Sequence, residues 1–223
     1  MVGDPPARPK DSMTPRFPDA PRRLAHLPRD RRGFPVPWFV SWGAGEPRFP
    51  VVDAAKLSLA WNEERCWVCG DRLGALRGWV VGPMSVIEGA TPEPPSHYEC
   101  AAFSVSACPH LSTADARFSG QYADAADCVA QPNISKQGSA VTAIWITKGR
   151  GATPFQAGAG TLFGLAEPTR LEWYAAGRRA SGGEVQEAIA LALPKLRTAA
   201  QAEGRGAEFE RRLTWLDRWA PQA

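Results

Sequence analysis

Cys66-Trp67-Val68-Cys69-Gly70 and, further along, Ser96-His97-Tyr98-Glu99-Cys100 are the stretches that decide how this chain is built. Each carries two metal-type ligands with two residues between them. Three thiols and an imidazole form a donor set that zinc accepts in closed, tetrahedral, structural sites. Cys66 to Gly70 has the form of a knuckle, a tight turn whose backbone N–H groups can point at thiolate sulfur. Gly70 permits the positive φ that such a turn needs. Glu93-Pro94-Pro95 blocks an earlier helix start, so Ser96 becomes the expected N-cap of a helix over 97–107. On that helix His97 and Cys100 stand at i and i+3 and share a face. They also sit in its first turn, where unpaired N–H groups and the dipole favour thiolate. A knuckle, a hairpin and a helix whose first turn supplies two ligands make a treble-clef-like zinc centre. Two alternatives stand beside it. A thioredoxin-like dithiol would open a helix after a buried strand, whereas Cys66 follows an expected helix and Cys69 precedes Gly-Asp. Ordinary buried cysteines are the other.

Outward from this centre, the N-terminal side reads as strands and one helix. The run Phe34-Pro35-Val36-Pro37-Trp38-Phe39-Val40-Ser41-Trp42 has prolines that suit an edge strand. Gly43 to Glu46 is a turn and 48–52 a second strand, giving a hairpin. Asp53 caps a helix over 54–64. Residues 79–87 look like strand material broken by Gly82-Pro83. On the C-terminal side, 109–138 reads as a long loop with short helical pieces. Strands are expected at 141–147 and 161–166, joined by a Gly-rich connection, then a helix over 168–176 opened by Pro168. Ser181-Gly182-Gly183-Glu184 matches a capping box. Val185, Ile189, Ala192 and Leu196 follow at helical spacing, with Pro194 expected to kink or restart the helix. A last helix over 207–219 carries Phe209, Leu213 and Leu216. The fold class is therefore α+β: a small antiparallel sheet, a treble-clef-like zinc centre and a helical C-terminal third. The organisation is a disordered Pro/Arg-rich tail at 1–32, strands plus the zinc module at 33–110, and an α+β part at 111–223 packed on it as one composite domain.

Composition bounds the rest. The 223 residues suffice for an ordinary core, and Gly and Pro, 21 each, announce a loop-rich chain. No apolar run approaches the roughly 20 residues needed to cross a bilayer, and no secretory signal is visible at the N-terminus. Five cysteines, two of them in a CxxC, fit metal thiolates in a reducing cytoplasm better than a disulfide framework. Residues 1–32 hold eight Lys/Arg against four Asp/Glu, while the whole chain is +3, so the body sums to about −1. This argues against a general polyanion binder. Met13 could be the true start in place of Met1. Leu24-Ala25-His26-Leu27-Pro28 is the first stretch able to touch the body.

Catalytic constellations are thin. A nuclease of the HNH type needs a general-base histidine on the hairpin and further ligands, and the chain has three histidines in all. With His97 committed to metal, His26 and His110 remain, so no catalytic residue is assigned. Cys108 lies eight residues beyond Cys100, about 12 Å along a helix and out of reach of the same ion; Cys128 stands alone in a polar loop. The tryptophans default to core packing. The pairs Arg178-Arg179 and Arg211-Arg212 could touch phosphate but also suit solvated helix faces.

Arg32-Gly33-Phe34-Pro35-Val36-Pro37-Trp38-Phe39-Val40, the Cys66–Gly70 knuckle, Gly82-Pro83-Met84, Glu93-Pro94-Pro95-Ser96-His97 with Cys100-Ala101, Cys108-Pro109 and Trp173-Tyr174 with Gly177-Arg178 resemble an uncharacterised family of bacterial and prophage-type proteins. The resemblance spans about residues 27–200. It implies a phage or mobile-element setting and that the CxxC and HxxC pairs belong together. The leading expectation is a non-catalytic module with one structural zinc per chain, binding an unknown protein or nucleic acid. A metal-dependent nuclease or nucleotide-processing enzyme, and a virion or assembly component, are the alternatives.

Overall fold

Trp79 and Trp145 face each other across neighbouring antiparallel strands, and both are fully buried. Each indole N–H is satisfied, Trp79 by Thr147 Oγ1 at 3.0 Å and Trp145 by the Ala166 carbonyl at 2.9 Å, as buried indoles require. The fold assembles around this pair. The computed structural model describes residues 20–112, 141–158 and 160–221.

In chain order, a 3₁₀ turn (Arg22–Leu24) precedes a hairpin of β1 (Val40–Gly43) and β2 (Glu46–Val52). The hairpin closes through Ala44 and Gly45, both at positive φ (50° and 81°), as two-residue turns that match strand twist require. Helix α1 (Ala54–Asn62) starts at Asp53, whose carboxylate accepts from the Ala55 and Lys56 N–H groups. Then come β3 (Leu76–Val81), α2 (Pro83–Glu88), β4 (Ala90–Thr91), α3 (Tyr98–Ala107) and the short α4 (Pro109–Ser112). The remainder holds β5 (Val141–Lys148), β6 (Ala152–Ala157), β7 (Gly160–Leu165), β8 (Arg170–Ala175), β9 (Arg178–Arg179), α5 (Gly182–Ala202) and α6 (Gly206–Leu216).

These strands form three antiparallel sheets, β1-β2, β3-β5-β8-β9 and β4-β7-β6. Period-two alternation gives the four-stranded sheet two working faces. Trp79, Val81, Ala143, Trp145, Trp173 and Ala175 pack with residues of α2, α5 and α6. Val80, Ile144, Ile146 and Tyr174 meet Ala101 and Val105 of α3 on the other face. With both faces covered, β5 is buried from Val141 to Thr147. The segments 33–110 and 111–223 share two sheets, since β3 pairs with β5 and β4 with β7.

The α+β class stands, as does the hairpin, α1, β5, β7 and the capping box at Ser181 and Glu184. The Gly-rich stretch expected to be a flexible connection holds a strand, β6, which pairs with β7. Four further expectations change. Residues 168–176 hold β8 and not a helix, because Leu171 and Trp173 alternate with Glu172 and Tyr174 and both sets find a packed face; tertiary pairing with β5 overrides the helix-start signal at Pro168. Gly82-Pro83 does not interrupt a strand but opens α2, with Pro83 at its first position. Helix α5 runs through Pro194, which faces solvent beside exposed Ala190, so the carbonyl that proline orphans can be hydrated. Finally, residues 20–32 are not an extended tail. Leu24 and Leu27 are buried against Cys66, Val68 and Cys100, and Val36 N–H reaches the Pro28 carbonyl at 2.7 Å. The rest of that expected tail, 1–19, and Cys128 lie outside the described residues.

Candidate metal centre

Two backbone hydrogen bonds close the knuckle. Cys66 N–H bonds the Asp71 carbonyl at 2.7 Å and Gly70 N–H bonds the Cys66 carbonyl at 2.8 Å. Gly70 takes φ +80°, and a Cβ there would stand 2.7 Å from Trp38 Cγ, so glycine is required by both conformation and space. This turn aims the Cys69 N–H at Cys66 Sγ, 3.4 Å away, and the His97 N–H meets the same sulfur at 3.4 Å. Two amide donors on one sulfur favour its thiolate form.

His97 is the N-cap residue of α3, one position later than the expected Ser96, and Cys100 lies in the first turn. The His97 ring stands with Nδ1 3.4 Å from Cys69 Sγ and 3.9 Å from Cys100 Sγ. Its Nε2 lies 3.0 Å from the Arg72 carbonyl. That carbonyl can only accept, so Nε2 carries the proton and the Nδ1 lone pair faces the sulfurs, the arrangement by which a carbonyl orients a metal-binding imidazole. The four ligand atoms of Cys66, Cys69, His97 and Cys100 all lie within 4.8 Å of one another, and all four residues are buried. Tetrahedral Zn–S and Zn–N bonds of about 2.3 and 2.0 Å demand ligand separations of roughly 3.5–3.8 Å. The observed 3.4 and 3.9 Å bracket that range. The group can hold one metal ion, and its donor set suits zinc.

Electrostatics agree with a cation-binding role. Burial raises the Cys66 thiol, but hydrogen bonds with Cys100, Cys69 and His97 outweigh it and draw it far down. Cys100 is pushed up, chiefly by its hydrogen bond to Cys66. Hydrogen bonds to Cys66 and then Cys69 lift His97 to about 10. The cluster prefers negative sulfur beside positive charge, a demand that a divalent cation satisfies with four bonds.

Residues 20–28 lie over the knuckle. His26 Nε2 is 3.0 Å from the Cys69 carbonyl, and Arg23 pairs with Glu99. The other residues singled out by sequence do not join the group. Cys108 caps the C-terminal end of α3 and its thiol is pushed up by burial. His110 lies on α4, beyond the extended Cys108 that ends α3, whereas Glu99 is in the first turn of α3, so about 12 Å of helix axis separates Glu99 from the end that leads to His110. Glu64 is taken by Arg77 and Arg150, and Glu63 by Arg65. Between the ligand pairs the chain runs β3–α2–β4, and Gly78 of β3 exchanges two backbone hydrogen bonds of 2.8 Å with Ser96, antiparallel, just before the second ligand pair.

A second polar cluster leaves no local motif in the chain. Glu172 on β8 is 5% exposed and accepts from Tyr98 Oη at 2.9 Å and Tyr174 Oη at 3.0 Å. Arg170 Nε and Arg179 Nη2 take its two oxygens at 2.7 and 2.8 Å. Only the alternation of β8, once recognised, could have placed Glu172 and Tyr174 on the α3 face.

Fold and centre together define an α+β protein built round a closed, buried Cys₃His group able to hold a metal ion. No protein-family model, curated protein or solved structure matches the chain. Among the described residues no helix is long and apolar enough to cross a membrane.

Proposed function

We propose that this chain is a non-catalytic interaction module of a phage or other mobile element, held together by one structural zinc and binding a protein or nucleic-acid partner in the cytoplasm. The observation that carries the reading is the closure of the centre: four buried protein ligands converge within 4.8 Å. Catalytic zinc keeps one position for water or substrate, whereas four protein ligands fill the tetrahedron. The ion ties the knuckle to the start of α3, and α3 packs on the central sheet, so it supports the surface without taking part in a reaction. The phage setting rests on the resemblance of the motif-bearing stretches.

Metal analysis of the purified chain tests this. One zinc per chain is expected, with Cys66→Ser losing it and melting well below the parent. Absence of metal together with an unchanged melting temperature in Cys66→Ser would overturn the reading.

A further inference from the structure

Arg170 and Arg179 are both anchored to one buried carboxylate, and each lies over a tyrosine ring. Arg170 stands 5.2 Å from the Tyr98 centroid and Arg179 4.7 Å from that of Tyr174. Glu172 engages only Nε of the first and Nη2 of the second, and both side chains remain 58% exposed. A guanidinium carries five N–H donors, so most of each fork is left pointing to solvent from a fixed position. Lys148 extends the patch. Ile146 pairs with Arg170, and Lys148 lies two residues on along β5, on the same face. That makes it a diagonal neighbour of Arg170, about 7–8 Å away. It is exposed and, among the described residues, enters no ion pair.

Three cations therefore stand against one carboxylate at the end of the sheet face beyond the N-terminus of α3. The excess is local, since the chain beyond residue 32 sums to about −1. Planar forks held by a carboxylate and an aromatic face match phosphate oxygens bidentately with little side-chain freedom left to lose. Both tyrosine rings are already covered by guanidinium, which leaves no bare ring here for a base to stack on.

We propose that Lys148, Arg170 and Arg179 form a contact for the phosphate backbone of a nucleic-acid strand, independent of base sequence. The inference rests on the interaction-module reading and selects nucleic acid as the partner. Phosphates supply repeated oxyanions for separate forks. A protein partner would be expected to bring an apolar anchor; exposed Leu76 stands opposite Lys148 at the rim of the patch, but no large exposed apolar side chain lies among Arg170, Glu172 and Arg179.

The test is fluorescence anisotropy with the full zinc-loaded chain and labelled oligo-dT or a mixed-sequence strand of equal length. Both strands are expected to bind alike at low salt. The slope of log Kobs against log salt should be about −2, from roughly 0.7 per contact on single strands. Arg170→Ala and Arg179→Ala should each flatten that slope by about 0.7. These variants disturb the Glu172 cluster, so Lys148→Glu, which leaves it intact, is the second arm: binding should weaken at least tenfold with melting unchanged. No binding at low salt, or binding that Lys148→Glu leaves unaltered, overturns the proposal. Preference for polyglutamate over the oligonucleotides also overturns it, in favour of an acidic protein. A zinc-bearing, zinc-stabilised chain that ignores nucleic acid would sink this inference alone; a chain without zinc sinks the module reading instead.

Discussion

Tyr98, the residue after His97 of the candidate metal centre, places its hydroxyl 2.9 Å from Glu172 in the central sheet. A single residue step thus joins the candidate metal centre to a buried carboxylate on β8. Burial alone would raise the Glu172 carboxyl, but hydrogen bonds from Tyr98, Arg179 and Tyr174 outweigh it and hold the group below the usual carboxylate range. A hydrogen bond to a charged acceptor contributes about 1.5–3 kcal/mol, and Glu172 keeps three other donors when one is removed.

Tyr98→Phe should therefore lower stability by about 1–2 kcal/mol. The metal content should not change, because the ring and the backbone at His97 remain. Urea denaturation paired with metal analysis reads both. Loss of metal in this variant would mean that the sheet contact sets the position of His97, contrary to the independent knuckle geometry.

The second prediction concerns residues 20–28. Leu24 is 1% exposed and packs with Cys66, Cys69 and Cys100, and His26 reaches the Cys69 carbonyl. This stretch is a cover on the centre. Leu24→Ala should cost about 2–4 kcal/mol by the usual penalty for truncating a buried leucine. It should also speed removal of the ion by a chelator, followed with a zinc-sensitive dye, while leaving the stoichiometry at one. An unchanged release rate would show that access to the sulfurs does not run through this segment.

The centre was legible in the sequence because its chemistry is local. Ligand spacing, Gly70 and the Pro94-Pro95 block act within a few residues, and each does in the structure what the spacing requires. The elements that were misread depend on distant partners. Arg170 to Ala175 becomes a strand only because β5 offers a free edge and both faces meet packed helices. The cover at Leu24 and Leu27 was hidden by a different cause: an Arg/Pro-rich composition reads as disorder, yet two leucines in such a stretch suffice when an apolar knuckle face waits for them. The alternation of β8 could have put Glu172 on the α3 face, but not its cluster, since its four donors come from three elements that a linear reading keeps apart.

The third prediction is a two-sided pH dependence. Hydrogen bonds from Arg178 and then Ser181 draw exposed Glu184 down to about 2. Its folded value lies below the unfolded one of about 4.3, so its contribution to the start of α5 is complete above that pH and disappears as pH falls toward 2. Glu93 has the opposite sign. Burial lifts it to about 7, so its protonated form suits the folded state, and stability is full below about 4.3 and declines as pH rises through 7. That decline is about 4 kcal/mol at most. Differences from the parent isolate each group, since metal release in acid affects every variant alike. In a urea series across pH, Glu93→Gln should flatten the fall between pH 5 and 7, and Glu184→Gln should reduce the acid-side loss. A Glu93→Gln curve parallel to the parent's through that window would show that the Glu93 carboxyl titrates alike in the folded and unfolded chains.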